Sequence, residues 1–167
     1  LLYARAVAFD VPETAYLWRS RDGGATWVDL QSGILRPSSA LALDPDDPER
    51  LWNWTDRGEL WRSRDGGDTW ELRSAQAGRE SQISADKLLA DRADRLVVVG
   101  FPLSGVGRRI EVSRDGGLTF GRGGFVPQFA AQPFLSIDPG SGDLVAFDQR
   151  GLEVSADDGA TWTLRGR

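Results

Sequence analysis

Six residues in three short polar turns are best suited to do chemistry together: Asp56 and Arg57 in TDRG, Arg108 and Arg109 closing PLSGVGRR, and Asp148 and Arg150 in DQRG. A guanidinium offers a planar fork of N–H donors that matches a carboxylate or sulfate, so arginines from successive loops can converge on an anionic ligand. Paired carboxylates support a different reaction, glycoside hydrolysis. That reaction needs two of them roughly 5 Å apart for retention, or roughly 6.5–9.5 Å apart for inversion. Asp56, Asp148, Glu80 and Asp86 are the loop carboxylates available for it. A plainer reading stands beside both: arginine is this chain's default cation, Lys87 being the single lysine, and turns are polar anyway.

Composition removes other chemistry. The chain has no histidine and no cysteine. Ser-His and Cys-His nucleophiles, the usual zinc ligands, disulfides and thiolate reactions are therefore absent from it. A net charge of −5 argues against a nucleic-acid partner, which requires a concentrated basic face. No apolar run approaches the roughly 20 residues of a membrane-spanning helix. No secretory leader is recognisable, and the first residue is Leu1 and not Met, so the expectation is a trimmed chain or part of a longer polypeptide. The acidic pairs Asp157-Asp158 and Asp44-Pro45-Asp46-Asp47 raise a calcium site as an alternative. Calcium needs six to eight oxygens in one place, and short acidic turns with proline read first as turns. No metal and no cofactor are expected.

The elements that must hold these loops are written four times over. LWRSRDGGATW (17–27) and LWRSRDGGDTW (60–70) differ at one position, and IEVSRDGGLTF (110–120) and LEVSADDGATW (152–162) repeat the pattern. Asp22, Asp65, Asp115 and Asp157 fall at intervals of 43, 50 and 42 residues. A period of that length built from strands marks propeller blades. The second unit reads ALALD, LWNWT, ELWRSRD and TWELRS, four short strands separated by turns. The third and fourth units keep this order. In the first, LLYARAVAFD corresponds to the second strand, and the first strand is missing. The fold class expected is all-β, a propeller of four-stranded antiparallel blades with four repeats visible. It covers 1–167 as a single or partial propeller, with blades at about 1–35, 36–76, 77–125 and 126–167. An arc of a larger propeller is favoured over a four-bladed ring with one three-stranded blade.

Within each repeated turn the residue types suit a hairpin fastener. Gly24, Gly67, Gly117 and Gly159 supply positive φ. Asp22, Asp65, Asp115 and Asp157 are placed to accept backbone N–H groups inside the turn. Ser20, Ser63, Ser113 and Ser155, with Thr26, Thr69, Thr119 and Thr161, add hydroxyl hydrogen bonds. Trp27, Trp70, Phe120 and Trp162 offer an apolar lid over the hairpin and its neighbour.

These four stretches resemble Asp-boxes, the bacterial neuraminidase repeat. Three fit the whole Ser-x-Asp-x-Gly-x-Thr-Trp pattern, and the third box carries Phe120 for Trp. Families with such boxes include sialidases, xyloglucan-cleaving glycosidases, sortilin-type receptors and photosystem II stability factors. The approach ALALDPDDPERLW is more similar to the latter three than to sialidases. The resemblance implies that the boxes are structural and lie away from the ligand face. It also implies an extracytoplasmic protein.

Function is then expected on the loops joining second to third strands, which hold the six residues above, and on the blade-linking loops, the last with Phe125 and Phe129. Trp52 and Trp54 are expected in the core between blades. A sialidase needs a Tyr-Glu pair, and the two tyrosines, Tyr3 and Tyr16, fall outside those loops. The favoured reading is a non-enzymatic scaffold binding a protein segment or a glycan, an anionic one suiting the arginines, with self-association where the ring is incomplete. The alternative is a glycoside hydrolase, or part of one, acting through loop carboxylates.

Overall fold

The computed structural model describes residues 1–7, 15–30, 38–75, 77, 83–91, 94–102, 107–127, 134–148 and 151–166. They form four antiparallel sheets in chain order. Sheet 1 is β1 (Leu2–Val7), β2 (Ala15–Ser20) and β3 (Val28–Asp29). Sheet 2 is β4 (Ser38–Leu43), β5 (Leu51–Thr55), β6 (Leu60–Ser63) and β7 (Glu71–Ser74). Sheet 3 is β8 (Ile83–Ala90), β9 (Leu96–Pro102), β10 (Arg109–Ser113) and β11 (Gly121–Phe125). Sheet 4 is β12 (Phe134–Ile137), β13 (Leu144–Asp148), β14 (Gly151–Ser155) and β15 (Thr163–Gly166).

The register repeats as faithfully as the letters do. The serine that opens each box lies opposite one apolar residue of the preceding strand: Leu2 with Ser20, Leu51 with Ser63, Leu96 with Ser113, Leu144 with Ser155. Sheet 1 therefore consists of the second, third and fourth strands of a blade, as its sequence implied. In sheets 2, 3 and 4 the last pair of strands shifts register once, a bulge that adds local twist.

Alternation sends successive residues of each strand to opposite faces, and both faces of the inner sheets are covered. Trp52, Trp54 and Leu60 of sheet 2 pack with Leu88, Leu96 and Val98 of sheet 3. Val97, Val99 and Ile110 on the other face of sheet 3 pack with Leu135, Leu144 and Ala146 of sheet 4. This is why LVVV is a continuous apolar run and LWNWT is buried at every position: each strand is sandwiched. Trp52 and Trp54 lie fully in this core. Sheets pack consecutively, first on second, second on third, third on fourth. Among the described residues, sheets 1 and 4 share no packing on that scale.

Two positions differ from expectation. Asp86 lies inside β8, at the irregularity between Ala85 and Lys87, and not in a loop. The ladder with β9 resumes at Lys87 and runs on through Leu88, Leu89 and Ala90, carrying the strand through it. Phe125 closes β11, paired with Arg109, and does not begin the linking loop. The glycines before it admit close approach of sheet 4: a Cβ on Gly123 or Gly124 would collide with the backbone of Asp158 or Gly159.

Candidate functional site

The two ends of each third strand have different chemistry, because one end is a box and the other a short loop. At the box end the hydrogen bonds are the same in all four repeats. The Ser20 hydroxyl accepts from Gly24 N–H at 2.8 Å and donates to Asp22 Oδ1 at 2.8 Å. Thr26 donates its N–H to Asp22 Oδ1 at 2.9 Å and its hydroxyl to Oδ2 at 2.6 Å. The set recurs at Ser63, Asp65, Gly67 and Thr69, at Ser113, Asp115, Gly117 and Thr119, and at Ser155, Asp157, Gly159 and Thr161.

Both carboxylate oxygens are thus used within the turn, and the charged form is stabilised. Hydrogen bonds from Thr26 and Ser20 hold Asp22 at about 2. Burial pushes Asp65 and Asp115 upward, but the threonine and serine donors outweigh it and hold each at about 2. The Thr161 amide and hydroxyl lower Asp157 likewise.

The aromatic closing each box meets different partners. Trp27 donates its indole N–H to Gly24 O within its own turn at 3.0 Å. Phe120 meets Trp54 of sheet 2 edge-on, with centroids 5.6 Å apart. The Trp162 indole reaches Phe125 O of sheet 3 at 2.8 Å.

Box turns also receive donors from the preceding sheet. Arg19, nearly buried, reaches Gly66 O at 2.8 Å and Asp68 Oδ1 at 2.8 Å. Arg73 reaches Gly116 O at 3.2 Å, and Arg95 reaches Asp158 Oδ1 at 2.6 Å and Gly142 O at 2.7 Å. Arg114 also pairs with Asp158. Treating arginine as a default polar residue missed these clamps. The signal in the letters was that Arg19 and Arg73 sit inside strands, where a solvent role is wasted. The acidic runs raised for calcium are occupied in the same way. Asp44 accepts Asp46 N–H at 2.8 Å and Asp47 N–H at 3.1 Å and faces Arg50 at 3.4 Å. Among the described residues, no cluster of three potential metal ligands exists.

Asp56 and Arg57 are exposed at the tip between β5 and β6. That turn is closed by Gly58 N–H to Thr55 O at 3.0 Å and Thr55 N–H to Glu59 O at 2.9 Å. Arg108 lays its guanidinium over the Phe101 ring, 4.8 Å from the centroid, and its carbonyl accepts Val126 N–H. Arg109 pairs across the sheet with Gly100 and Phe125, and Phe101 and Phe125 are both half exposed. At one end sheet 3 therefore carries Arg108 and Phe101 on one face and Arg109 opposite Phe125 on the other. Asp148 pairs with Gly151 at the end of β13, its side chain not being among the described parts. Arg150, Glu80 and Phe129 lie outside the described residues.

Beneath Arg109 lies a group that the sequence did not single out. Glu111 is 2% exposed, with Arg109 Nη1 3.6 Å from its Oε1. Burial raises its pKa, and Arg109 and Arg122 only partly offset that. Glu111 ties Arg109 to the strand; it does not open to ligand. The tyrosines are structural as well: Tyr3 donates to Pro48 O at 2.9 Å, and Tyr16 stacks on Trp18 with centroids 5.2 Å apart.

The comparisons with known proteins fit this architecture. The BNR/Asp-box repeat family matches at residues 61–72, the second box. A search of curated proteins by sequence finds no match. Among solved structures the chain is similar to YCF48 from Cyanidioschyzon merolae, at 21% identity and TM-score 0.53, over 78% of this chain and 38% of that one. YCF48 has also been solved bound to D1 peptide. A GH74 enzyme of Niastella koreensis matches at 20% identity and TM-score 0.61, over 91% of this chain and 26% of that one. The Hadza microbial sialidase Hz136 matches at 19% identity and TM-score 0.57, over 90% and 40% respectively. Identities of this size carry likeness of fold, and the chain spans well under half the length of each of these proteins. Four boxes closed by one set of hydrogen bonds, on sheets ordered and stacked as blades, give this chain β-propeller architecture built on Asp-box repeats, the second of which the BNR family model matches.

Proposed function

We propose that the chain is a non-enzymatic propeller scaffold that binds an acidic, extended protein segment on its loop face. The observation that carries this reading is the cation–aromatic pair at the loop end of sheet 3, Arg108 over exposed Phe101, with Arg109 and exposed Phe125 in register on the other face. A guanidinium on an aromatic ring suits a ligand with both a carboxylate and an apolar or aromatic surface. The opposite end of the strands offers little, since its polar groups are spent in the boxes. That YCF48 has been solved with a bound peptide supports a protein segment over a glycan.

Binding of a panel of fluorescent peptides, acidic against neutral, tests the proposal by anisotropy. Acidic aromatic peptides bind, and Arg57→Ala and Arg108→Ala weaken them by about tenfold with an unchanged melting temperature, one charge-assisted contact being worth about 1.4 kcal/mol. Unchanged affinity in both variants removes the loop face as the site. Fold likeness to GH74 enzymes and a sialidase favours a second reading, glycoside hydrolysis. Release of reducing sugar from xyloglucan, or of sialic acid from a sialoside, would replace the scaffold reading with that one. An extracytoplasmic address belongs to the same proposal and rests on the resemblance alone; fractionation of cells making the full polypeptide checks it.

A further inference from the structure

The joints between sheets are not chemically alike. One register position of the second strand decides the difference. Sheet 3 places Val98 there, opposite Glu111, and sheet 4 places Ala146, opposite Glu153. Val98 packs in the apolar cluster with sheet 2, and Ala146 in the cluster with sheet 3. At the same register sheet 2 places Asn53, opposite Trp61. Trp52 and Trp54 on either side of it are turned to sheet 3, so alternation turns Asn53 towards sheet 1. Asn53 is 0% exposed, and among the described residues neither its Oδ1 nor its Nδ2 has a hydrogen-bond partner. An amide side chain can accept two hydrogen bonds and donate two, and a buried one making none is rare in folded proteins.

A second unpartnered group lies on the same face. Ser38 pairs with Thr55, two residues along the strand from Asn53, so the three side chains point the same way. The Ser38 hydroxyl is buried and also lacks a partner among the described residues. Thr55 is already engaged, its hydroxyl accepting Glu59 N–H at 3.1 Å. Ser38 and Asn53 are diagonal neighbours on adjacent strands, a relation that separates backbones by about 7–8 Å. Their short side chains do not meet across it, but one small molecule between them can touch both. Sheet 1 closes over this spot: Arg5 of β1 reaches across to donate to Ser38 O at 2.6 Å, and Leu17, paired with Arg5, is buried beside it.

From these groups we infer that the joint of sheets 1 and 2 contains an internal water-binding site, a water molecule bridging the Asn53 amide and the Ser38 hydroxyl. Water suits the site in size and in chemistry. The polar atoms are closed off from solvent, which shuts out a larger ligand, and they comprise donors and acceptors together, which only a molecule that both donates and accepts can satisfy. The bridge gives this joint a polar contact at the register where the two later joints use packed methyl groups.

Oxygen-17 relaxation dispersion of solvent water tests the site, since it registers water molecules held inside a protein. It is measured on the wild type, on Asn53→Val, which carries the residue sheet 3 uses at this register, and on Ser38→Ala, with far-UV circular dichroism verifying the fold of each. The wild type shows a dispersion step from long-lived water. Asn53→Val lowers that step by the equivalent of at least one molecule, and Ser38→Ala lowers it or shortens the residence time. In the wild-type proton spectrum the Asn53 side-chain amide shows cross-peaks to water with the sign of a long-lived contact, and this reading decides alone if Asn53→Val does not fold. Equal dispersion steps in the wild type and a folded Asn53→Val overturn the inference. An Asn53 amide without a long-lived water contact overturns it equally.

Discussion

The box aspartate is the residue on which each hairpin turns. Asp65 accepts three hydrogen bonds in a turn that otherwise has no ladder partner for Thr69 N–H. Asp65→Ala is expected to lower stability by about 1–3 kcal/mol, read from urea unfolding, because the serine and threonine groups lose their acceptor at once. An unchanged midpoint would mean that the turn stands without its carboxylate. Acid probes the same bonds. In the unfolded chain these carboxyls take up protons near 3.8, but Asp22, Asp65 and Asp115 do so in the folded chain only at about 2. Their stabilisation is therefore complete above about pH 4 and lost as pH falls towards 2. The melting temperature should drop across that interval, and Asp65→Asn should be less stable at neutral pH with a shallower drop. Equal slopes would count against the box carboxylates as the acid-sensitive groups.

At the scale of elements, the box glycines join one sheet to the next as well as turning the chain. Gly24 and Gly117 both have positive φ, +98° and +89°, so replacing either by alanine strains the backbone. Only at Gly117 would the new Cβ strike a neighbouring sheet, at Leu60. Gly24→Ala should cost about 1 kcal/mol and Gly117→Ala about 1–3 kcal/mol more, the added part being overpacking. Similar costs in thermal unfolding would show that the joint relaxes around the methyl. Arg19 and Arg73 do the polar half of this joining. Each crosses from one sheet to carbonyls that the next box cannot satisfy by itself.

Across the described residues, the main packing of each sheet is on its sequence neighbours, so stability is close to a sum of sheets and joints. Trp54 lies in the joint of sheets 2 and 3, 1% exposed and against Phe120. Trp54→Ala should cost about 3–5 kcal/mol. Hydrogen exchange should quicken in β5, β9 and β10 while β13 and β14 of sheet 4 keep more of their protection. Uniform loss of protection would show instead that the four sheets unfold as one unit.

The blade order, the three strands of sheet 1 seen among the described residues and the burial of Trp52 and Trp54 were all legible in the letters. Turn chemistry and two-residue alternation are local rules, and four copies of one text make them redundant. The box hydrogen bonds were also legible in kind, because Ser, Asp, Gly and Thr at fixed offsets can bond within a single turn. Only the tertiary structure decided what the arginines do. Arg19, Arg73 and Arg95 clamp neighbouring sheets, Arg109 is held by buried Glu111, and Arg57 stays in solvent. The same was true of Phe101, whose ring meets Arg108 from another strand. A side chain's partner is set by which sheets stack and at what register. The arginine clamps between sheets join residues more than 40 positions apart, where no local pattern in the letters reaches.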